Sequence, residues 1–143
     1  MRFMVMVRAT KDSEAGKMPS REMIEAMGRY NQALIDAGIL VTADGLQASS
    51  KGARVKFARD GSKTLVDGPF PETKELVAGF WMWKVKSREE AMQWAMKCPM
   101  PMEDQECEIE VRQVFEMEDF AGTLSDDEIA QKKIALARAS RGQ

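Results

Sequence analysis

A chain of 143 residues, 44% hydrophobic and 31% charged, has the size and make-up of one globular domain, which excludes a disordered or fibrous protein. A net charge of −2 and a pI of about 5.3 exclude the positive field that a phosphate backbone requires, so no direct nucleic-acid binding is expected. Histidine is absent, which excludes Ser-His-Asp and Cys-His catalysis and imidazole metal sites.

Residues 2–8 alternate, with Phe3, Val5 and Val7 on one side and Arg2, Met4, Met6 and Arg8 on the other, and this period of two predicts the first strand. A polar loop follows. Ser20 then opens a segment in which Met23, Met27, Tyr30, Leu34 and Ala37 recur at spacings of three and four, one face of a helix that Gly38 ends. Residues 39–42 and the two alternating runs of 53–66 around Asp60-Gly61 both qualify as the next strand, and local pattern does not choose between them. Residues 77–86 place Val77, Trp81, Trp83 and Val85 opposite Ala78, Phe80 and Met82, so both faces are apolar. Ser87 and Glu90 form a capping-box pattern for a second helix, which Cys98-Pro99 stops. Residues 108–114 alternate again, with Ile109 and Val111 opposite Glu108, Glu110 and Arg112. A second capping-box pattern, Ser125 with Glu128, opens a C-terminal helix with a narrow stripe of Ile129, Ala130, Ile134 and Ala137.

This order predicts an α+β fold of the ferredoxin-like β-α-β-β-α-β kind, in which two helices cover one face of an antiparallel sheet. The other face carries Phe80 and Met82 and needs a cover. One aromatic side chain buries about 150–250 Å², worth several kcal/mol at roughly 25 cal/mol per Å². The sheet of a second copy, giving a dimeric α+β barrel, is the expected cover, and the chain's own C-terminal helix is the alternative. A homodimer follows from the first.

No apolar run approaches the roughly 20 residues that span a bilayer, and Arg2 and Arg8 bracket the apolar N-terminus before a signal-peptide core can form. A cytoplasmic protein with no membrane partner is expected. Cys98 and Cys107 are too few for a disulfide framework and are read as free thiols. They lack ligand spacing, so neither a metal nor another cofactor is expected. The Cys98-Pro99-Met100-Pro101-Met102 run offers soft sulfur donors of the kind Cu(I) prefers, but in a chain with 12 methionines it reads as a tight connection. Residues 45–52 look superficially like a phosphate loop, yet they lack the Walker spacing and no strong helix follows.

The stretch Asp67-Gly68-Pro69-Phe70-Pro71-Glu72-Thr73-Lys74-Glu75 combines a turn with charged groups beside a Trp-rich strand. Read structurally, Asp67 hydrogen-bonds its own turn and Phe70 is a buried anchor whose truncation costs roughly 3–5 kcal/mol. Read functionally, it is a pocket rim, with Asp67 as acid or base and Lys74 holding an anion.

Asp67-Gly68-Pro69-Phe70 with Glu72-Thr73-Lys74-Glu75 closely resembles the signature of the YCII-related proteins with the DGPF motif. Gly45-Leu46-Gln47, the helix end Trp94-Ala95-Met96-Lys97-Cys98-Pro99, and Glu110-Val111-Arg112-Gln113-Val114 match as well, so the resemblance covers residues 1–114 and leaves 115–143 as an extension with one helix. It implies a ferredoxin-like protomer that dimerises as an α+β barrel. It implies no particular reaction. Some relatives are encoded near extracytoplasmic-function sigma factors, and another branch has a proposed His and Asp pocket, whose His has no counterpart here.

Two functions follow as expectations. One is small-molecule binding in the barrel, extending to an enzyme in which Asp67 is the catalytic acid or base and Arg8, Phe70, Lys74 and Arg112 bind the ligand, the cations neutralising developing negative charge. For Arg8 and Arg112 the plain alternative is pairing with Glu108 or Glu110. The other function is a non-catalytic regulatory or interaction module acting with a sigma-factor system.

Overall fold

In the computed structural model, which describes residues 1–142, the alternating N-terminal run is β1 (Arg2–Arg8). It is followed by α1 (Lys11–Glu14), α2 (Arg21–Asp36) and β2 (Leu40–Gly45). The hairpin β3 (Ala53–Phe57) and β4 (Lys63–Asp67) comes next, then β5 (Val77–Lys84), α3 (Arg88–Met96), β6 (Ile109–Gln113) and α4 (Asp126–Arg141).

Four strands form one antiparallel sheet in the order β2-β5-β1-β6, which is the ferredoxin-like order. Register sets Val5 against Trp81 and Phe3 against Trp83, so the period-two face of β1 lies beside the aromatic face of β5. Tyr30 and Leu34 of α2 and Ala91 of α3 close over these residues to make the core. Trp83, Leu34 and Val5 are the largest fully buried side chains. Burying the Trp83 ring contributes several kcal/mol at roughly 25 cal/mol per Å².

The helix ends follow local chemistry. Ser20 Oγ accepts the Met23 N–H at 3.1 Å to start α2, and beyond its end Gly38 takes a left-handed φ of +72°. At α3, Ser87 Oγ accepts the Glu90 N–H, but Glu90 reaches back to the Lys86 N–H rather than to that of Ser87, so only half of the expected box forms. The Ser125–Glu128 box of α4 is complete.

Of the two candidates for the next strand, residues 39–42 fall in or next to β2 in the main sheet, while residues 53–66 make a separate hairpin that pairs only with itself. Its turn is local: Gly61 sits at φ +86° and Asp60 accepts the Ser62 N–H at 2.8 Å. The polar loop after β1 contains α1, whose Thr10 and Ser13 cap one another. The stripe expected along α4 is packed only at its start: Ile129 is buried, while Ala130 and Ala137 are exposed and Ile134 is 53% exposed. On the sheet's second face Met4, Met6, Phe80 and Met82 are half-buried and stand outside the helix-side core. No helix among the described residues is long and apolar enough to cross a membrane.

Candidate functional site

β2 ends at Gly45 beside Gly79 of β5, and the Leu46 N–H donates to the Ala78 carbonyl at 2.8 Å, which aims the chain away from the sheet into a 3₁₀ turn at Ser49–Lys51. This turn is one wall of a cleft of about 800 Å³. The second wall is α1 and the loop after it, with Ser13, Glu14, Lys17 and Met18. Met23 of α2 and the loop carrying Pro101, Met102 and Glu103 complete it. A smaller hollow of about 280 Å³ adjoins it through Gly45, Ala78 and Met102 and is lined by Met27, Asn31 and Trp81. There the Trp81 indole N–H donates to Asn31 Oδ1 at 2.7 Å.

The two main walls are tied together by Glu14. Its Oε1 accepts the Ser49 N–H at 3.0 Å and its Oε2 accepts the Ser49 hydroxyl. Ser49 Oγ in turn accepts the Phe70 N–H at 3.0 Å, so the Asp67-Gly68-Pro69-Phe70 turn is fastened to the outside of the same wall. Gly68 donates its N–H to the Gly52 carbonyl at 3.0 Å and precedes a cis bond to Pro69. A Cβ on Gly68 would lie 1.8 Å from the Ser49 carbonyl oxygen and 2.6 Å from its carbon, so only glycine allows this approach. The Arg54 guanidinium lies 3.8 Å from the Phe70 ring centroid, a cation–π stack that covers the ring from the hairpin side.

The five residues singled out from the sequence do not converge, and none of them lines the cleft. Asp67 is exposed at the end of β4 opposite Ala53, and its carboxylate makes no hydrogen bond among the described residues, so the expected bond to its own turn is not formed. Phe70 is half-buried rather than a buried anchor, because it packs under a surface arginine and not into the sheet core. Lys74 is exposed in a 3₁₀ turn at Thr73–Glu75.

Arg8 and Arg112 do meet, on Glu110. Arg8 Nη2 donates to Glu110 Oε1 at 2.8 Å and Nη1 to the Glu75 carbonyl at 3.3 Å, while Nε is buried without a partner. Arg112 Nη1 stands 4.0 Å from Glu110 Oε2. This is the ion-pair alternative, with Glu110 serving both.

Cys98 and Cys107 are free, and burial together with the neighbouring Cys107 pushes the Cys98 thiol up to about 11. No group of three or more His, Cys, Asp or Glu placed to hold a metal occurs among the described residues.

Sequence reasoning missed Glu14 and Ser49, and it set residues 45–52 aside as a failed phosphate loop. No helix follows that segment, yet it walls the cleft. The available signal was Gly45-Leu46-Gln47, one of the pieces on which the resemblance rested.

Sheet order and cleft define a ferredoxin-like α+β protein with a pocket at one end of its sheet. The family model of the YCII-related domain matches residues 1–118, and the chain belongs to that family. No protein with a curated description matches it.

Proposed function

We propose that this YCII-related protein binds a small organic molecule in the cleft at the Gly45 end of its sheet, with the Asp67-Gly68-Pro69-Phe70 turn as the buttress of that cleft and not as its reacting group. The observation that carries the reading is the run of contacts from the Phe70 N–H through Ser49 to Glu14, which joins the turn to the cleft wall. Met18, Met23, Leu46 and Met102 suit an apolar ligand body, with methionines that adapt to its shape, while Ser13, Gln47 and Lys51 suit its polar end. Both Glu14 oxygens are committed to Ser49, so Glu14 shapes the wall and moves no proton. Asp67, outside the cleft, moves none either. The sheet's second face, with Met4, Met6, Phe80 and Met82, packs on that of a second copy in a homodimer, and the Arg8–Glu110–Arg112 cluster is structural there.

A thermal-shift screen of a metabolite library tests this on wild type, Asp67→Asn and Met23→Lys. A hit at 100 times its dissociation constant stabilises the protein by about 2.7 kcal/mol. That shift is expected to survive in Asp67→Asn and to vanish in Met23→Lys. The reverse pattern contradicts the proposal.

A further inference from the structure

We infer that the β3–β4 hairpin is an arm that docks on the segment following β6 in a second copy of this chain. The pairs Val55 with Leu65 and Phe57 with Lys63 put Val55, Phe57 and Leu65 on one face of the hairpin. They are 50%, 71% and 67% exposed. A two-stranded hairpin is marginal in water on its own, and a contiguous exposed apolar patch marks a contact surface.

Charge selects the occupant. The arm carries Arg54, Lys56, Arg59 and Lys63 against Asp60 and Asp67, a net positive strip around the apolar face. Residues 103–119 carry eight carboxylates against one cation, Arg112; Glu110, Glu116 and Glu118 are paired with Arg8, Arg2 and Lys133, while Glu103, Asp104, Glu106, Glu108 and Asp119 form no ion pair among the described residues. At the end of that acidic run Phe115 is 71% exposed and Phe120 37%, with their rings 5.4 Å apart. The chain thus presents a basic apolar face and an acidic apolar face, the complementarity that steers one specific association.

Topology sends the two faces to different copies. The arm leaves the sheet after β2, and Phe115 follows β6, and these are the opposite edges of the order β2-β5-β1-β6. When two such sheets close face to face around a two-fold axis along the barrel, each β2 edge lies beside the partner's β6 edge. Two equivalent arm contacts then form and the assembly closes. The inference rests on the homodimer proposed above and adds what each arm touches.

Light scattering after size exclusion over a dilution series tests it on wild type, the double variant Phe57→Glu with Leu65→Glu, Phe115→Glu, and Phe80→Glu, which burdens the sheet face and leaves the arm and the Phe115 segment unchanged. Wild type is expected at twice the 16.1 kDa chain mass. The arm double variant and Phe115→Glu are each expected to raise the dimer dissociation constant roughly 100-fold, because the two-fold axis repeats each loss at two contacts, with the near-UV signal of Trp81 and Trp83 unchanged. Rising salt should weaken wild type more than the arm variant. A dimer lost in Phe80→Glu but kept in the arm variant overturns the arm and leaves the sheet-face dimer standing. A wild type that stays monomeric overturns both. If Phe80→Glu does not fold, Met6→Glu replaces it as the sheet-face probe.

Discussion

Gly68→Ala puts the buttress under the most direct load. The new methyl would start 1.8 Å from the Ser49 carbonyl oxygen, and since a Cβ is fixed by its own backbone and the oxygen is a backbone atom, no rotamer change can move either aside. Real contacts of this kind do not fall below 3.0 Å, so the turn and residues 49–50 must separate by at least about 1.2 Å. The bonds from the Phe70 N–H to Ser49 Oγ and from the Gly68 N–H to the Gly52 carbonyl, each 3.0 Å, would then stretch to roughly 4 Å and be lost. At about 1 kcal/mol each, with the Glu14–Ser49 link disturbed as well, the cost is about 2–4 kcal/mol. For a chain of this length that lowers Tm by roughly 6–12 °C. Urea unfolding followed by tryptophan fluorescence reads the change, with Asp67→Ala as a neighbour expected to stay within about 0.5 kcal/mol of wild type, being exposed and unpaired. A Gly68→Ala protein that melts with wild type refutes the close approach and, with it, the buttress.

Phe70→Ala should cost about 1–2 kcal/mol in the same assay, less than a fully buried aromatic, and Arg54→Ala should cost less in the Phe70→Ala background than in wild type, because the stack is already gone. Tyr30, the chain's one tyrosine, donates its hydroxyl to the Trp94 carbonyl at 2.6 Å, and burial holds its ionisation well above the usual range. Its stabilisation is complete below the unfolded value near 10 and is lost as pH rises toward the folded one, so absorbance at 295 nm should show no phenolate before alkaline unfolding, and Tyr30→Phe should cost about 1 kcal/mol. The hydrogen bond and charge of Arg2 hold the Glu116 carboxyl below its ordinary value of 4.5, so that contribution is present above 4.5 and lost as pH falls below it. Both side chains are more than a third exposed, so Glu116→Gln should lower stability at pH 6 by no more than about 0.5 kcal/mol, with the difference from wild type shrinking as pH falls below 4.5.

The main sheet and its helices were legible because burial imposes a period. Phe3, Val5 and Val7 mark a one-sided strand, and Met27, Tyr30 and Leu34 mark a helix face, with the cap residues Ser20 and Gly38 bounding it. β2 was hard to place since it is an edge strand with little buried side chain, and the better-patterned hairpin competed with it in the sequence while pairing outside the sheet. α1 has four residues and no buried side chain, so nothing periodic announces it. The site was the least legible part. Its central link joins Glu14 to a residue 35 positions away and that residue to Phe70 across another 21, and no local spacing encodes such a contact. Asp67 drew attention as the acid of a recognisable motif, and the contacts that join this motif to the cleft wall are made by the backbone of Gly68 and Phe70.

Amide chemical-shift mapping of the isotope-labelled protein, titrated with a compound that the thermal-shift screen finds, tests the location of the site without relying on any variant. Perturbations are expected at residues 13–18, 45–51 and 101–105, with those around Asp67 and Lys74 unmoved apart from Phe70, whose N–H rests on Ser49. Shifts centred instead on Asp67, Lys74, Arg8 and Arg112, with the 45–51 segment silent, would contradict the account.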